Sequence, residues 1–308
     1  SKKIKTSDQA LNTSIRRTFK SLGYNEVITY SFIEESVARL VEEKQQQLIF
    51  VKNPISQNMN VMRTSLLPGL LNTLSYNINQ GSESIRIFEI GTVFNKSKNS
   101  KIIQREVAGG LISGIEEKGN WSGLNKAMDF FDLKGNLETV LPELSKFTFK
   151  SGQISYLHPG KTALLYKGKT LVGCIGTVNP KLTDKFDIKS EVNFFEFFVN
   201  EVSDNKSLKY KKYSRFPLAQ RDLSFVVDEE ITSSSITNEI LTKAGSDLKE
   251  INLFDIYTGK GISKGKKSLT YSLNWQAKNR TLTDDEIDKI IERIVSFLSK
   301  KFNAKLRA

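Results

Sequence analysis

Asp255, Tyr257, Ser268 and Arg307 are the side chains in this sequence best suited to hold unpaired nucleic-acid bases. A carboxylate accepts from the N–H groups of a base edge, a tyrosine ring stacks a base, and a guanidinium neutralises phosphate or stacks in turn. The run from Lys260 to Lys267 carries Lys260, Lys264, Lys266 and Lys267 and no acid, which adds sequence-independent attraction for a polyanion. Such a run serves equally well as a solvated edge, and Asp255 and Tyr257 could simply end a strand before Gly259. Elsewhere the chemistry is sparser. His158 is the only histidine and stands beside Pro159 with no partner at metal-ligand spacing, which reads as a structural turn. Cys174 lies in an apolar strand pattern and reads as buried filling rather than a nucleophile. No phosphate-cradling glycine loop or dinucleotide fingerprint occurs. Arg63 and Glu89 remain as candidates for site chemistry, with a structural ion pair or hydrogen-bond network as the expectation. No residue is assigned a catalytic role, and none a metal.

Strand alternation decides where these side chains point, because successive residues of a strand face opposite sides. Leu223, Phe225 and Val227 form one face of a first strand. A helix follows, with Ser234 or Ser235 as N-cap, Ile236, Ile240 and Leu241 as its stripe and Gly245 as its stop. In a second strand, Ile251 to Tyr257, alternation turns Phe254 and Ile256 inward and Leu253, Asp255 and Tyr257 outward. A third, Ser268 to Trp275, buries Leu269, Tyr271, Leu273 and Trp275. Thr283-Asp-Asp-Glu286 announces a second helix through a capping box, with Ile287, Ile290, Ile291, Ile294 and Leu298 as its stripe. A last short strand, Ala304 to Arg307, buries Leu306 and exposes Arg307. The order strand, helix, strand, strand, helix, strand is the split βαβ pattern of ferredoxin-like folds, with one sheet face left open and polar.

The earlier part of the chain reads as a separate α+β domain on a mostly antiparallel sheet. Residues 8–22 form a helix with Leu11, Ile15, Phe19 and Leu22 on one stripe. Glu26 to Phe32 reads as a strand, Glu35 to Gln46 as a polar helix and Leu48 to Val51 as a short strand. Pro68 starts a helix striped by Leu67, Leu70, Leu71, Leu74 and Ile78. Strands follow at Ile85 to Phe94 and Val107 to Ile112, and a helix runs from Asp129 to Leu141. Leu157-His-Pro-Gly160 reads as a turn, and strands at Thr162 to Tyr166, Thr170 to Val178 and Asn193 to Val199 close the domain. The domains are placed at residues 1–205 and 214–308, with a polar, lysine-rich linker at 206–213.

The 308 residues carry 46 Lys and Arg against 34 Asp and Glu, a net charge of +12, which suits a polyanionic partner. A hydrophobic fraction of 38% argues for globular domains. One cysteine excludes an internal disulfide and fits a reducing, cytoplasmic setting. No apolar run approaches a membrane span. The chain starts at Ser1 without a methionine, and the expectation is an excised part of a longer protein.

Several stretches carry a family resemblance. Ser214-Arg-Phe-Pro with Arg221-Asp-Leu, Leu253-Phe-Asp-Ile-Tyr-Thr-Gly259, Lys266-Lys-Ser-Leu269, Thr281-Leu-Thr-Asp284 and Leu306-Arg307 resemble the ferredoxin-fold anticodon-binding domain of the bacterial phenylalanyl-tRNA synthetase beta subunit. Glu26-Val-Ile-Thr-Tyr-Ser-Phe32, Met62-Arg-Thr-Ser-Leu-Leu-Pro-Gly69, Phe88-Glu-Ile-Gly91 and Asp129-Phe-Phe-Asp-Leu-Lys-Gly135 resemble its catalytic-like module, similar in fold to class II synthetases. The resemblance implies an α2β2 ligase that charges tRNA(Phe), with ATP and Mg handled mainly by the alpha subunit and no cofactor in this part. It implies that Asp255, Tyr257, Ser268 and Arg307 read the anticodon, Asp255 accepting from the first-position guanine. It also implies that the first helix, through Leu11, Ile15, Thr18 and Phe19, joins an intersubunit bundle; ordinary core is an equal reading of those apolar residues. The nucleotide-binding arginine of class II enzymes has no counterpart in Asn193-Phe-Phe-Glu-Phe-Phe-Val-Asn200, so this part is expected to be non-catalytic. A free-standing RNA-binding accessory protein and an amino-acid sensor are the alternatives from other classes.

Overall fold

The computed structural model describes residues 7–42, 47–97, 99–116, 126–141, 146–202 and 213–307, with side chains from residue 9 onward. The chain divides into two compact units, Ser1–Lys206 and Ser207–Ala308. The proposed linker lies, apart from Tyr213, outside the described residues, as do residues 43–46 of the helix expected from Glu35 to Gln46.

The first unit opens with α1 (Ser7–Ser21), β1 (Asn25–Glu26), β2 (Phe32–Ile33), α2 (Glu35–Val41), β3 (Val61–Met62) and α3 (Leu67–Asn79). Two long strands follow, β4 (Ser84–Lys96) and β5 (Ile102–Gly114), then α4 (Phe130–Val140). It closes with β6 (Phe147–Ser151), β7 (Leu157–Lys167), β8 (Thr170–Val178), α5 (Pro180–Asp184), β9 (Val192–Phe198) and α6 (Val199–Val202). Seven strands make one sheet in the order β1, β4, β5, β9, β8, β7, β6, and only the β1–β4 contact is parallel. This is an α+β unit on a mostly antiparallel sheet.

Alternation along the central strands sends apolar side chains to both faces, so each face needs a cover. Phe88, Ala108, Phe195 and Phe197 share a layer with α1 and α4 on one face; Ile87, Leu111, Cys174 and Phe194 belong to the layer that contains α3 on the other. Phe19 sits at the centre of the first layer. Its ring lies 4.9 Å from Phe88, 5.1 Å from Phe195 and 5.2 Å from Tyr24. Ile15 and Phe19 are therefore core residues of this unit, which corrects their assignment to an intersubunit surface. Leu11 packs partly buried against the same layer, and the Thr18 hydroxyl bonds back to the Ser14 carbonyl. At α4, Asp129 caps the helix through a capping box with Asp132.

Two strand expectations need correction. From Glu26 to Phe32 only the ends pair, and Ile28 and Tyr30 are 92% and 72% exposed rather than facing a core. The stretch between them is held by single bonds, Val27 N to Phe88 O and Arg63 N to Ser31 O. Leu157 to Gly160 is not a free turn but an irregularity inside β7. The His158 ring accepts from the Gly160 amide and its carbonyl accepts from the Thr162 hydroxyl, so the histidine shapes the chain locally.

The second unit runs β10 (Ala219–Asp228), α7 (Ser233–Lys243), β11 (Leu248–Tyr257), β12 (Lys266–Trp275), α8 (Asp284–Phe302) and β13 (Lys305–Arg307). Its antiparallel sheet has the order β11, β12, β10, β13, the ferredoxin-like arrangement. The α7 N-cap is Thr232, ahead of both serines expected, and its hydroxyl accepts from the Ser235 amide. Leu241 is exposed, while Ile236 and Ile240 fill the core. The capping box of Thr283 and Glu286 starts α8 as expected. Leu306 is 48% exposed and Ala304 takes the buried place instead, since β13 is the outer strand of the sheet.

Phe19→Ala is expected to cost about 3 to 5 kcal/mol of first-unit stability, the range for emptying an aromatic core site. Urea unfolding of the two proteins compared side by side measures it.

Candidate nucleic-acid interface

Pairing partners on adjacent strands share a face, so the register of the second unit shows what its sheet presents. Leu223, Phe225, Leu269, Tyr271, Leu273 and Trp275 all lie under α7 and α8. On the open face one row runs Asp255, Thr270, Ser224, Arg307, and the next runs Tyr257, Ser268, Val226, Lys305. Across the first row the Ser224 and Thr270 hydroxyls bond to each other at 2.9 Å. Strands spaced about 4.8 Å apart put Asp255 and Arg307 on opposite edges of the sheet, roughly 14 Å apart.

Asp255 and Tyr257 reach that face by a route that simple alternation misses. Leu253 pairs with buried Tyr271 and packs against the core, and Asp255 pairs with Thr270, leaving Phe254 as the extra residue of a bulge. Leu253 therefore points inward and Phe254 is 54% exposed, a reversal of the expected faces of both. Beyond the bulge the alternation is reset, and Asp255 and Tyr257 point away from the helices.

From the far edge the Arg307 guanidinium reaches over the Tyr257 ring, 5.4 Å from its centroid. The Tyr257 hydroxyl donates to the Lys260 carbonyl at 3.2 Å, so the ring leans over the turn after β11. Gly259 lets the chain pass there, since a Cβ would stand 2.7 Å from the tyrosine oxygen. Ser268, directly across from Tyr257, is only 1% exposed and its buried Oγ has no protein partner. It is thus a covered group, not an open contact. Asp255 is exposed and forms no ion pair among the described residues.

The lysines divide. Lys260 and Lys264 are exposed in the turn between β11 and β12. Lys266 pairs with Asp228, and Lys267 lies opposite Val227, on the helix side, donating to the Glu229 carbonyl. The register takes Lys267 away from the polar rows, whereas Lys266 continues the open face one row beyond Ser268 with its charge met by Asp228.

The first unit holds a second polar centre. Arg63 and Glu89 are 4% and 3% exposed and meet at 2.8 Å. The guanidinium also donates to the Thr92 carbonyl at 2.9 Å and the Thr29 hydroxyl at 3.0 Å, while that hydroxyl donates to Glu89 Oε2. Gly91 leaves the room, because a Cβ would come within 2.4 Å of the guanidinium. With its donors so engaged, Arg63 is a structural strut. Sequence reasoning missed Glu196. Its Oε1 accepts from the Leu66 amide at 2.7 Å and the Ser65 hydroxyl at 3.1 Å, just ahead of α3. Burial pushes this carboxyl up to about 7, against the lowering effect of those bonds. The signal was a lone acid in the run Asn193-Phe-Phe-Glu-Phe-Phe198. Among the described residues no cluster of three His, Cys, Asp or Glu could hold a metal ion.

A carboxyl raised from 4.5 to about 7 keeps a proton that the unfolded chain releases. Glu196 thus contributes stability below pH 4.5 that is lost as pH rises through about 7. In urea titrations over that window, Glu196→Gln is expected to gain stability relative to wild type as pH rises; a constant difference would contradict this.

Residues 1–199 match the family described as phenylalanyl tRNA synthetase beta chain CLM domain, and residues 214–307 match the ferredoxin-fold anticodon binding domain. The phenylalanine–tRNA ligase beta subunit of Buchnera aphidicola is 40% identical over 92% of this chain and 36% of its own length. Those of Haemophilus ducreyi and Coxiella burnetii are 39% and 38% identical, over 92% and 97% of this chain and 36% and 38% of theirs. The chain spans little more than a third of these relatives. A pyrrolysyl tRNA synthetase of Desulfitobacterium hafniense overlays 63% of this chain and 66% of its own at a TM-score of 0.48 and 16% identity, a likeness that carries no functional weight. No helix among the described residues is long and apolar enough to cross a membrane. The match over most of the first unit, followed by one over the second, places this chain in the phenylalanyl tRNA synthetase beta chain family.

Proposed function

We propose that the chain is the C-terminal part of a phenylalanine–tRNA ligase beta subunit, that its second unit binds the anticodon of tRNA(Phe), and that its first unit is a non-catalytic scaffold on which the alpha subunit docks. The observation that carries the anticodon reading is the open face, where Asp255 offers a free carboxylate beside the Tyr257 ring capped by Arg307. Anticodon bases unstack readily, and a tyrosine edged by a guanidinium gives one of them a stacking surface with a phosphate-binding charge beside it. Asp255 accepts from N1–H and N2–H of guanine at the first anticodon position, and Lys260 and Lys264 add sequence-independent attraction. Lys266 and Lys267 contribute charge only, since their side chains are already engaged. Phenylalanine activation, with its ATP and Mg, belongs in this reading to the alpha subunit of an α2β2 enzyme working in the cytoplasm.

A protein partner is supported by apolar surface rather than by α1 alone. Ile28, Tyr30 and Phe32 line a cleft with Met59, Pro68 and Phe186, and the first two are largely exposed. Of the four α1 residues expected at a subunit interface, Leu11 and Thr18 are the two that are not fully buried.

Asp255→Ala and Tyr257→Ala are expected to weaken tRNA(Phe) binding by about 1 to 3 kcal/mol each without unfolding the chain. Asp255→Ala also narrows the preference over a tRNA altered at the first anticodon base. Filter binding at fixed salt checks both, and wild-type affinity and discrimination in both variants would place the anticodon site elsewhere. Tyr30→Asp and Thr18→Lys are expected to reduce co-elution with the alpha subunit in gel filtration; unchanged assembly in both would move the docking surface.

A further inference from the structure

A cleft opens on the sheet face of the first unit that carries α3. It has two lobes that share Tyr156, Glu196 and Phe198. One, of about 430 Å³, reaches Thr64, Lys96 and Arg105. The other, of about 150 Å³, is walled by apolar side chains including Leu164 and Leu171. A volume that small, below the roughly 300 Å³ at which sites for drug-sized ligands begin, suits one side chain rather than a whole ligand.

The polar groups of the cleft are incompletely matched within the protein. Glu196 uses Oε1 for Ser65 and Leu66, and among the described residues its other oxygen has no hydrogen-bond partner. Thr64 Oγ1 is buried with no protein partner, and a buried hydroxyl without one is costly. Arg105 is exposed, its guanidinium 4.9 Å from the centroid of Phe198, and neither it nor Lys96 forms a salt bridge among the described residues. One acid and two bases thus border the same space, with an apolar lobe beside the acid. Two bases disfavour a simple cation there, and the acid disfavours a simple anion.

We propose that this cleft binds a small zwitterion, an α-amino acid with an apolar side chain, its ammonium on Glu196, its carboxylate toward Arg105 and Lys96, and its side chain in the lobe beside Tyr156. Thr64 lines the wider lobe, and its unpartnered Oγ1 supplies a hydrogen bond to the carboxylate. Burial already holds the Glu196 carboxyl at about 7, so an arriving ammonium restores the ionised form.

The test is isothermal titration of the 308-residue chain with L-leucine, L-methionine and L-phenylalanine, and with two single-charge analogues, isoamylamine and 4-methylpentanoic acid. The expected result is millimolar or tighter binding of at least one amino acid and at least about ten-fold weaker binding of both analogues. Glu196→Gln keeps an oxygen for Ser65 and Leu66, and Arg105→Ala alters an exposed residue; each is expected to weaken binding by about ten-fold with the circular dichroism spectrum unchanged. No binding of any amino acid at millimolar concentration, equal binding of an analogue, or wild-type affinity in Arg105→Ala would overturn the proposal.

Discussion

The strict alternation of a β-strand is the constraint on which the candidate anticodon surface depends. A strand that buries Leu253 under the helices would also bury Asp255 and Tyr257, two residues and four residues on, because all three share its parity. One extra residue, Phe254, breaks that parity. The core keeps Leu253, and the open face gains a carboxylate and an aromatic ring on consecutive outward positions. Everything at the site follows from this reset: Asp255 joins the row that ends in Arg307, and Tyr257 comes to lie where the guanidinium can reach it. Phe254 is left 54% exposed, an apolar cost at the surface that accompanies the bulge.

The first unit rests on a different device. Its sheet is apolar on both sides, and the helices that cover those sides are fixed by a few polar struts buried among them. Glu196 holds the chain just ahead of α3, and the Arg63–Glu89 pair ties the segment before α3 to β4. A buried ion pair is weak evidence for net stability but is strongly destabilising when only one partner is removed. Gly109 sits between Glu89 and Glu196 in the register, with Leu66 packed over it, so the two acids flank one small residue beneath the start of α3. That arrangement fixes the sheet face and leaves the cleft beside it lined with unequal charges.

Much of this was legible in the sequence because the strongest periodic patterns were also the best buried. The stripes of α3 and α8, the alternation of β12, the start of α4 after Asp129 and the capping box at Thr283 all stand where pattern places them. The failures have physical causes. Glu26 to Phe32 alternates like a strand, yet Ile28 and Tyr30 meet no sheet neighbour, since composition encodes apolarity but not what covers it. Asp255 and Tyr257 were expected on the open face from an alternation that misplaced Leu253 and Phe254; the bulge supplied the outcome for another reason. Ser268 was read as open because its strand position faces outward, yet it is 1% exposed, directly across from the Tyr257 ring that Arg307 reaches. Glu196 escaped notice because its role depends on a segment 130 residues away.

On the reading proposed for the second unit, single-stranded RNA binds on its open face, over Asp255 and Tyr257. Zero-length ultraviolet crosslinking of tRNA(Phe) to the chain, followed by mass spectrometry of the peptides, tests it most directly. Crosslinks from anticodon-loop nucleotides are expected to concentrate in the peptide that contains Tyr257. Crosslinks from those nucleotides confined to α7 or α8, with none on β11, would contradict it.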